Sequence, residues 1–254
     1  MKIQKHFILA ALLLAAISVS AQEGSSAIGV QFGFAQTDYR LNSWDPEASP
    51  TELTNIPLNG FKVGLVWDAT FIKGFGSMVG LNYTFGTSTS KWQSVNENML
   101  FPQVKERVTY HQGEIFVDWQ YKFEVAGDTY IILYTGPSIQ CQFALSTTVY
   151  TRTADDKETE LKINSFDYND ADMRQDYKRL NVTWGVGAGF QYDRFYIRGG
   201  YDFGLINPYK YNNFADIPEI GYIYGDNHDS GRYTRGRIDQ WQIKLGFFFA
   251  QFDK

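Results

Sequence analysis

The residues of this sequence that could carry chemistry are acids and bases of both signs, on segments that alternate between apolar and polar side chains. Seven of them share the side that is rich in glycine, asparagine and glutamine: Lys62, Asp68, Glu114, Asp118, Arg198, Asp202 and Lys244. Lys122 and Arg179 fall on the same side. Opposite charges in one enclosed space pair with each other, because an unpaired charge there is costly. The sequence therefore predicts a paired charge network, and a polar site for a small ligand is the alternative.

Acyl transfer or hydrolysis needs a nucleophile beside a base, and histidine is the most common base. Beyond residue 21 the sequence contains only two histidines, His111 and His228. No Ser-x-x-x-His pattern or comparable constellation surrounds either of them. The sequence therefore predicts a protein that is not an enzyme and has no catalytic residue.

A run of acids from Asp167 to Asp172 resembles the start of a calcium-binding loop. Ala171 stands at a ligand position, no central glycine follows, and the distal glutamate is missing. We therefore predict no metal site and no cofactor, and we interpret the surrounding acidic stretch, about 147–177, as a solvated loop. The single Cys141 cannot form an internal disulfide.

Eight segments of period-two alternation must position these residues. Their apolar sides run over 28–34, 61–71, 79–85, 115–123, 131–145, 180–192, 195–205 and 241–249. Long and very short connections alternate between them, as in antiparallel hairpins. Val108 and Tyr110, upstream of the fourth segment, have the opposite parity, which predicts a bulge near Gly113.

The alternation predicts an all-β fold: a transmembrane up-and-down antiparallel β-barrel of eight strands, with short periplasmic turns and long extracellular loops. The strand number is even, as in bacterial single-chain barrels, and each segment is long enough to cross a bilayer. A soluble, ligand-holding barrel has the same alternation. The polar side decides between them, because a solvent-exposed face would carry lysine and glutamate, whereas a cramped lumen favours the glycines found here.

The start of the chain predicts export. Lys2, Lys5 and His6 precede an apolar run of eleven residues, Phe7–Ile17, and small residues end at Ala21. This is the pattern of a signal peptide at 1–21, which leaves a single barrel domain at 22–254. The net charge of −5 argues against a nucleic-acid partner.

Two neighbouring runs resemble the PorT-like outer-membrane β-barrel family. They are residues 178–192, a polar start followed by a glycine-alternating strand, and 196–207, an Arg-x-x-Tyr strand that ends in Gly204-Leu205-Ile206-Asn207. Gly136-Pro137 also fits the mid-chain signal of that family. The resemblance implies a small eight-stranded barrel in the outer membrane, and the best-known member of the family assists type IX secretion.

The function predicted from these features is that of a non-enzymatic integral outer-membrane barrel. Its lumen is plugged, so that it acts structurally or through its extracellular loops. Its partners are outer-membrane lipid and lipopolysaccharide, whose phosphates Arg232, Arg235 and Arg237 could contact, together with envelope or secretion proteins. The alternatives are a PorT-like accessory role in secretion and a lipid A-modifying enzyme.

Overall fold

The structure is a computed structural model that describes residues 24–42, 57–94, 103–153, 156–164, 178–207 and 235–252. Every regular element within these ranges is a strand: β1 (Ser26–Asn42), β2 (Leu58–Ile72), β3 (Phe75–Thr89), β4 (Gln93–Ser94), β5 (Gln103–Ala126), β6 (Thr129–Arg152), β7 (Glu158–Asn164), β8 (Leu180–Tyr192), β9 (Phe195–Gly204) and β10 (Arg235–Phe252). Over the same residues, no helix is long and apolar enough to cross a membrane.

Eight of these strands form a closed antiparallel ring. The order is β5-β3-β2-β1-β10-β9-β8-β6, and β5 pairs with β6 to close it. Closure gives both edges of each of these strands a partner, which a spanning sheet requires. The eight-stranded barrel predicted from the alternation is therefore confirmed. The two additional strands, β4 and β7, pair with β5 and β6 beyond the ring.

Three two-residue turns lie at one end of the barrel and the long connections at the other. Lys73 and Gly74, in the first turn, both have positive φ, +46° and +85°. Gly127 and Asp193 open the other two turns with φ of +53° and +49°. Positive φ in the turn matches the right-handed twist of the flanking strands, which suits tight hairpins.

The bulge predicted near Gly113 was assigned to the wrong strand. The register between β3 and β5 runs without a shift from Arg107 to Tyr121, so β5 alternates regularly around Gly113. The extra residue is Phe143 in β6, where pairing passes from His111–Ala144 to Gln112–Gln142. Parity within one strand cannot distinguish a bulge from apolar side chains that face the lumen.

Three apolar side chains that were expected on the outer wall face the lumen instead. Val108 and Tyr110 keep the parity of the lumen side of β5 and are buried. Leu145, expected on the outer side of β6, lies beyond the bulge and is also buried. The lumen therefore has an apolar layer near the end with the long connections, formed by Leu58, Val108, Tyr110, Leu145 and Ile238.

Candidate functional site

Lys62 lies at the centre of a polar network inside the barrel. Its Nζ donates to Glu114 Oε2 at 2.6 Å, and to the side-chain oxygens of Gln240 at 2.9 Å and Gln242 at 2.5 Å. Asn82 Nδ2 donates to the same Glu114 oxygen at 2.9 Å. The side chains of Lys62 and Glu114 are 0% and 2% exposed. Removing an ion pair from water is costly, and the further hydrogen bonds on both charged groups offset that cost.

A second pair lies across the lumen, between β9 and β5. Arg198 Nη2, on β9, is 3.0 Å from Asp118 Oδ2, on β5, in an ion pair whose N–H direction does not meet hydrogen-bond geometry. The guanidinium carbon of Arg198 lies 3.7 Å from the centre of the Tyr134 ring, a cation–π contact. Arg198 is fully buried.

Asp202 and Lys244 connect to the same network through neighbouring groups. Gln242 Nε2 donates to Asp202 Oδ2 at 2.8 Å, so one glutamine contacts both Lys62 and Asp202. Lys244 Nζ lies 4.7 Å from the centre of the Phe116 ring. The structure thus brings six of the seven predicted lumen charges into the middle of the barrel.

The seventh, Asp68, lies closer to the end with the short turns. It accepts hydrogen bonds from Gln120 and Lys122. Both Asp68 and Lys122 line a cavity of about 370 Å³ at that end, together with Glu124 near the end of β5 and Asp128 in the turn that follows. Arg179, expected on the lumen side, precedes β8 and is exposed, so it lies outside the buried network.

A second apolar layer lies toward the short-turn end of the lumen. It consists of Ala27, Val66, Met78, Phe116, Tyr196 and Phe248. The rings of Tyr196 and Phe248 are 4.9 Å apart. Together with the layer around Tyr110, it encloses the charged middle of the lumen between two apolar zones.

The glycines of the lumen face accommodate these inward-pointing rings. A Cβ on Gly246 would lie 2.0 Å from Cζ of Tyr196, and one on Gly80 would lie 2.6 Å from the ring of Phe116. A Cβ on Gly187 would lie 2.3 Å from the ring of Tyr134. At these three positions glycine leaves room for a ring from a neighbouring strand, which no single segment of the sequence reveals.

A second polar cluster, centred on Asp239, lies on the outer wall at the end of the barrel with the long connections. Asp239 is fully buried and accepts hydrogen bonds from Tyr201 Oη and Gly204 N, both at 3.0 Å. Arg237 Nε lies 2.8 Å from the same carboxylate. Sequence reasoning missed Asp239, which lies just before the segment recognised as the last strand.

The other predicted site residues are distributed as follows. Arg237 is 43% exposed and directs one N–H at Asp239. Arg235 opens β10, with its backbone opposite Asn42, and its side chain falls outside the described part of the chain. Arg232, His228, the run 167–172 and the signal peptide at 1–21 also lie outside the described residues.

His111 lies on the outer wall, where its Nδ1 is 2.6 Å from Tyr83 Oη. Cys141 is a half-buried free thiol. In the described ranges, His, Cys, Asp and Glu side chains form no group of three or more that could hold a metal ion.

The comparison with solved structures finds other barrels at low identity. Ail, the attachment invasion locus protein of Yersinia pestis, is 12% identical over 91% of this chain and 100% of its own, with a TM-score of 0.35. Neisserial surface protein A is 12% identical over 89% of this chain and 100% of its own, with a TM-score of 0.39. The N-terminal β-barrel domain of Pseudomonas aeruginosa OprF is 11% identical over 86% of this chain and 97% of its own, with a TM-score of 0.27.

The comparison with protein families is more informative. No curated protein matches the chain. A family model described as "Outer membrane protein beta-barrel domain" matches residues 20–209, well over half of the 254 residues. It agrees with the closed ring of eight strands and with the predicted location. The chain therefore belongs to the outer membrane protein β-barrel domain family and is a protein of the bacterial outer membrane.

Proposed function

We propose that this protein is a non-enzymatic outer-membrane barrel with a sealed lumen, which acts structurally and through its extracellular surface. The observation that carries the proposal is the packing of the lumen. Lys62–Glu114 and Arg198–Asp118 pair across it, and apolar layers lie above and below. Its immediate partners are then the lipid and lipopolysaccharide around the wall and envelope proteins that meet its loops.

Transport through the lumen is disfavoured by this arrangement. A solute or ion would have to displace Tyr110 at one layer and Phe116 or Phe248 at the other, and all three rings are buried. Between these layers it would meet charges that already neutralise each other. Eight-stranded barrels in general leave room only for side chains or one small ligand.

Conductance across a planar bilayer tests the proposal. We expect the purified, folded protein to give no stable single-channel openings, with a large porin in the same bilayer as the positive control. Stable openings of the wild-type protein would overturn the sealed-lumen proposal. Openings only after truncation of Tyr110 and Phe116 to alanine would support it, since those rings belong to the two apolar layers.

The finer PorT-like hypothesis has weaker support. The motif that suggested it has local structural uses: Gly204 N donates to Asp239, and Asn207 Oδ1 accepts from Gly236 N at 3.2 Å. Those contacts join β9 and β10 at the rim of this barrel. Loss of type IX export in a deletion strain, restored by the wild-type gene, would favour the accessory role over a purely structural one.

The lipid A-modifying alternative gains no support from the contact of His111, the one histidine in the described ranges. The partner found for His111 is the phenol of Tyr83, an arrangement suited to a polar-aromatic pair at a membrane interface. Mass spectrometry of lipid A from cells with and without the protein tests this alternative. An acyl change that is lost in His111→Ala would establish it.

A further inference from the structure

The ladder between β5 and β6 continues beyond the ring of the barrel, on the extracellular side. Residues 103–107 of β5 and 148–152 of β6 form a sheet with β4 and β7. We call this four-stranded part the extracellular sheet. One of its faces continues the outer wall of the barrel, because β5 alternates without a bulge from Ile115 up to Lys105.

Cations and aromatic rings alternate on that outer face. The guanidinium carbon of Arg152 lies 4.4 Å from the centre of the Trp92 ring, and Lys105 Nζ lies 5.3 Å from the same ring. Lys105 Nζ is 5.4 Å, and the guanidinium carbon of Arg107 is 5.5 Å, from the centre of the Tyr150 ring. These contacts hold the charged heads against the ring faces, and the N–H groups that point away from the rings remain available to a ligand.

The outer side of β5 changes character in a regular order from the periplasmic end upward. It begins with Phe123, Tyr121, Trp119 and Ile115, all exposed to the surroundings of the barrel. His111 follows, paired with Tyr83, and Thr109 is next, 3.4 Å from Thr87. Arg107 and Lys105 come last. Hydrocarbon, interface and charged headgroup follow each other in the same order in a membrane.

The height of the cations agrees with that order. A strand rises about 3.3 Å per residue and is tilted by roughly 40° in such barrels. Arg107 and Lys105 therefore lie on the order of 10 and 15 Å above His111, measured along the membrane normal. Both cations therefore lie above the hydrocarbon layer, on the side of the polar headgroups.

Among the residues that the structure describes, the acids on this face lie to one side of the ladder. Glu158, on β7, is 2.5 Å from Arg152 Nη2, and Asp156 is 3.9 Å from its Nε. Glu160 is opposite Tyr150, and Lys162 is opposite Thr148. Arg152 is thus partly neutralised, whereas the contacts of Lys105 and Arg107 are with aromatic faces.

We infer that Lys105 and Arg107, held by Trp92 and Tyr150, form a binding site for the phosphate groups of a phosphorylated glycolipid in the outer leaflet. Charge complementarity and continuity with the lipid-facing wall identify this occupant. Two cations two residues apart on one strand can contact one phosphorylated headgroup together. Arg237, whose Nε is already directed at Asp239, is less suited to this role.

The test compares lipid binding by matched variants of the folded protein. Lys105→Gln/Arg107→Gln is measured against Lys73→Gln/Arg194→Gln, which removes the same charge from exposed positions in the periplasmic turns. Native mass spectrometry in detergent, with bis-phosphorylated lipid A as the probe and dephosphorylated lipid A beside it, gives the bound fraction. Retained heat-modifiable migration on gels shows that each variant is folded.

We expect the Lys105/Arg107 variant to bind bis-phosphorylated lipid A about tenfold more weakly than the wild type, and the turn variant to bind it normally. Dephosphorylated lipid A should bind all three proteins equally. Equal loss in both variants, or equal binding of both lipids by the wild type, would overturn the inference. A conducting lumen would defeat the proposed function and leave this site intact, so the two failures are distinguishable.

Discussion

The lumen and the outer wall of this barrel have opposite chemistry on the same strands. On β2, Lys62 is 2% exposed inside the barrel, while its neighbours Phe61 and Val63 are 64% and 39% exposed outside. In a water-soluble protein this arrangement would bury the costly groups and expose the apolar ones. In a bilayer the hydrocarbon surrounds the wall, and the lumen is the only place for charge.

The difference between the two surfaces shows how each stabilises the fold. The outer wall needs only apolar surface of the right height, so many apolar side chains would serve at each position. The lumen needs specific partners, because each buried charge must meet its opposite. Lys62, for example, contacts groups on β5 and β10 at once. Substitutions inside should therefore be more costly and more dependent on the partner than substitutions outside.

The largest effect is expected inside, for Lys62→Met. The change leaves Glu114 buried without its cation, which should lower the free energy of unfolding by about 3–5 kcal/mol. Adding Glu114→Gln should restore most of that loss, because the second substitution removes the uncompensated charge. Urea unfolding in lipid vesicles, followed by tryptophan fluorescence, measures both variants. A single variant as stable as the double variant would show that the lumen pair is not a coupled unit.

An intermediate effect is expected on the wall, for Leu65→Arg. Leu65 is 58% exposed, midway along the outer side of β2, so in water this substitution would be nearly neutral. In a bilayer it should cost about 2–4 kcal/mol, because the guanidinium faces hydrocarbon.

Leu161→Arg is the matched control. Leu161 is 56% exposed on β7, in the extracellular sheet. The same unfolding measurement should find little change there. If both substitutions lowered the stability equally, the hydrocarbon layer could not be confined to the ring of eight strands.

Much of this contrast between the lumen and the wall could be predicted from the sequence. Strict alternation put Lys62, Glu114 and Arg198 on the glycine-rich side, and the structure finds all three buried there. Their partners could not be predicted in the same way. Arg198 meets Asp118 across the lumen, and which strands face each other depends on the stagger at closure, a property of the whole sheet.

The misassigned residues have a related cause. Val108 and Tyr110 are apolar yet face the lumen, where they belong to a buried apolar layer. Hydrophobicity alone marks them as lipid-facing, so the pattern required a bulge that β5 does not have. Likewise Asp239 is buried on the outer wall, where Tyr201, Gly204 and Arg237 come together around it.

The smallest of the expected effects on stability concerns the space that a glycine leaves for a ring in the lumen. A methyl group on Gly246 would lie within 2.0–2.3 Å of Cζ, Cε1 and Oη of Tyr196, and the nearest atoms all belong to that one side chain. Gly246→Ala should therefore cost about 1–3 kcal/mol, the usual range for overpacking. On the outer wall, a Cβ on Gly199 would meet only Gln242 O, at 3.9 Å.

Gly199→Ala, as the matched control, should change stability by well under 1 kcal/mol, since nothing there has to move. Combining Gly246→Ala with Tyr196→Leu should recover part of the loss, because the added methyl group then occupies space that the ring vacated. The same vesicle unfolding assay compares the four proteins. If Gly246→Ala lowered the stability no more than Gly199→Ala, the lumen would have to be loosely packed around Tyr196. The rings could then not form a close-packed layer in its periplasmic part. A loss that Tyr196→Leu relieves would instead tie the glycine at 246 to that ring alone.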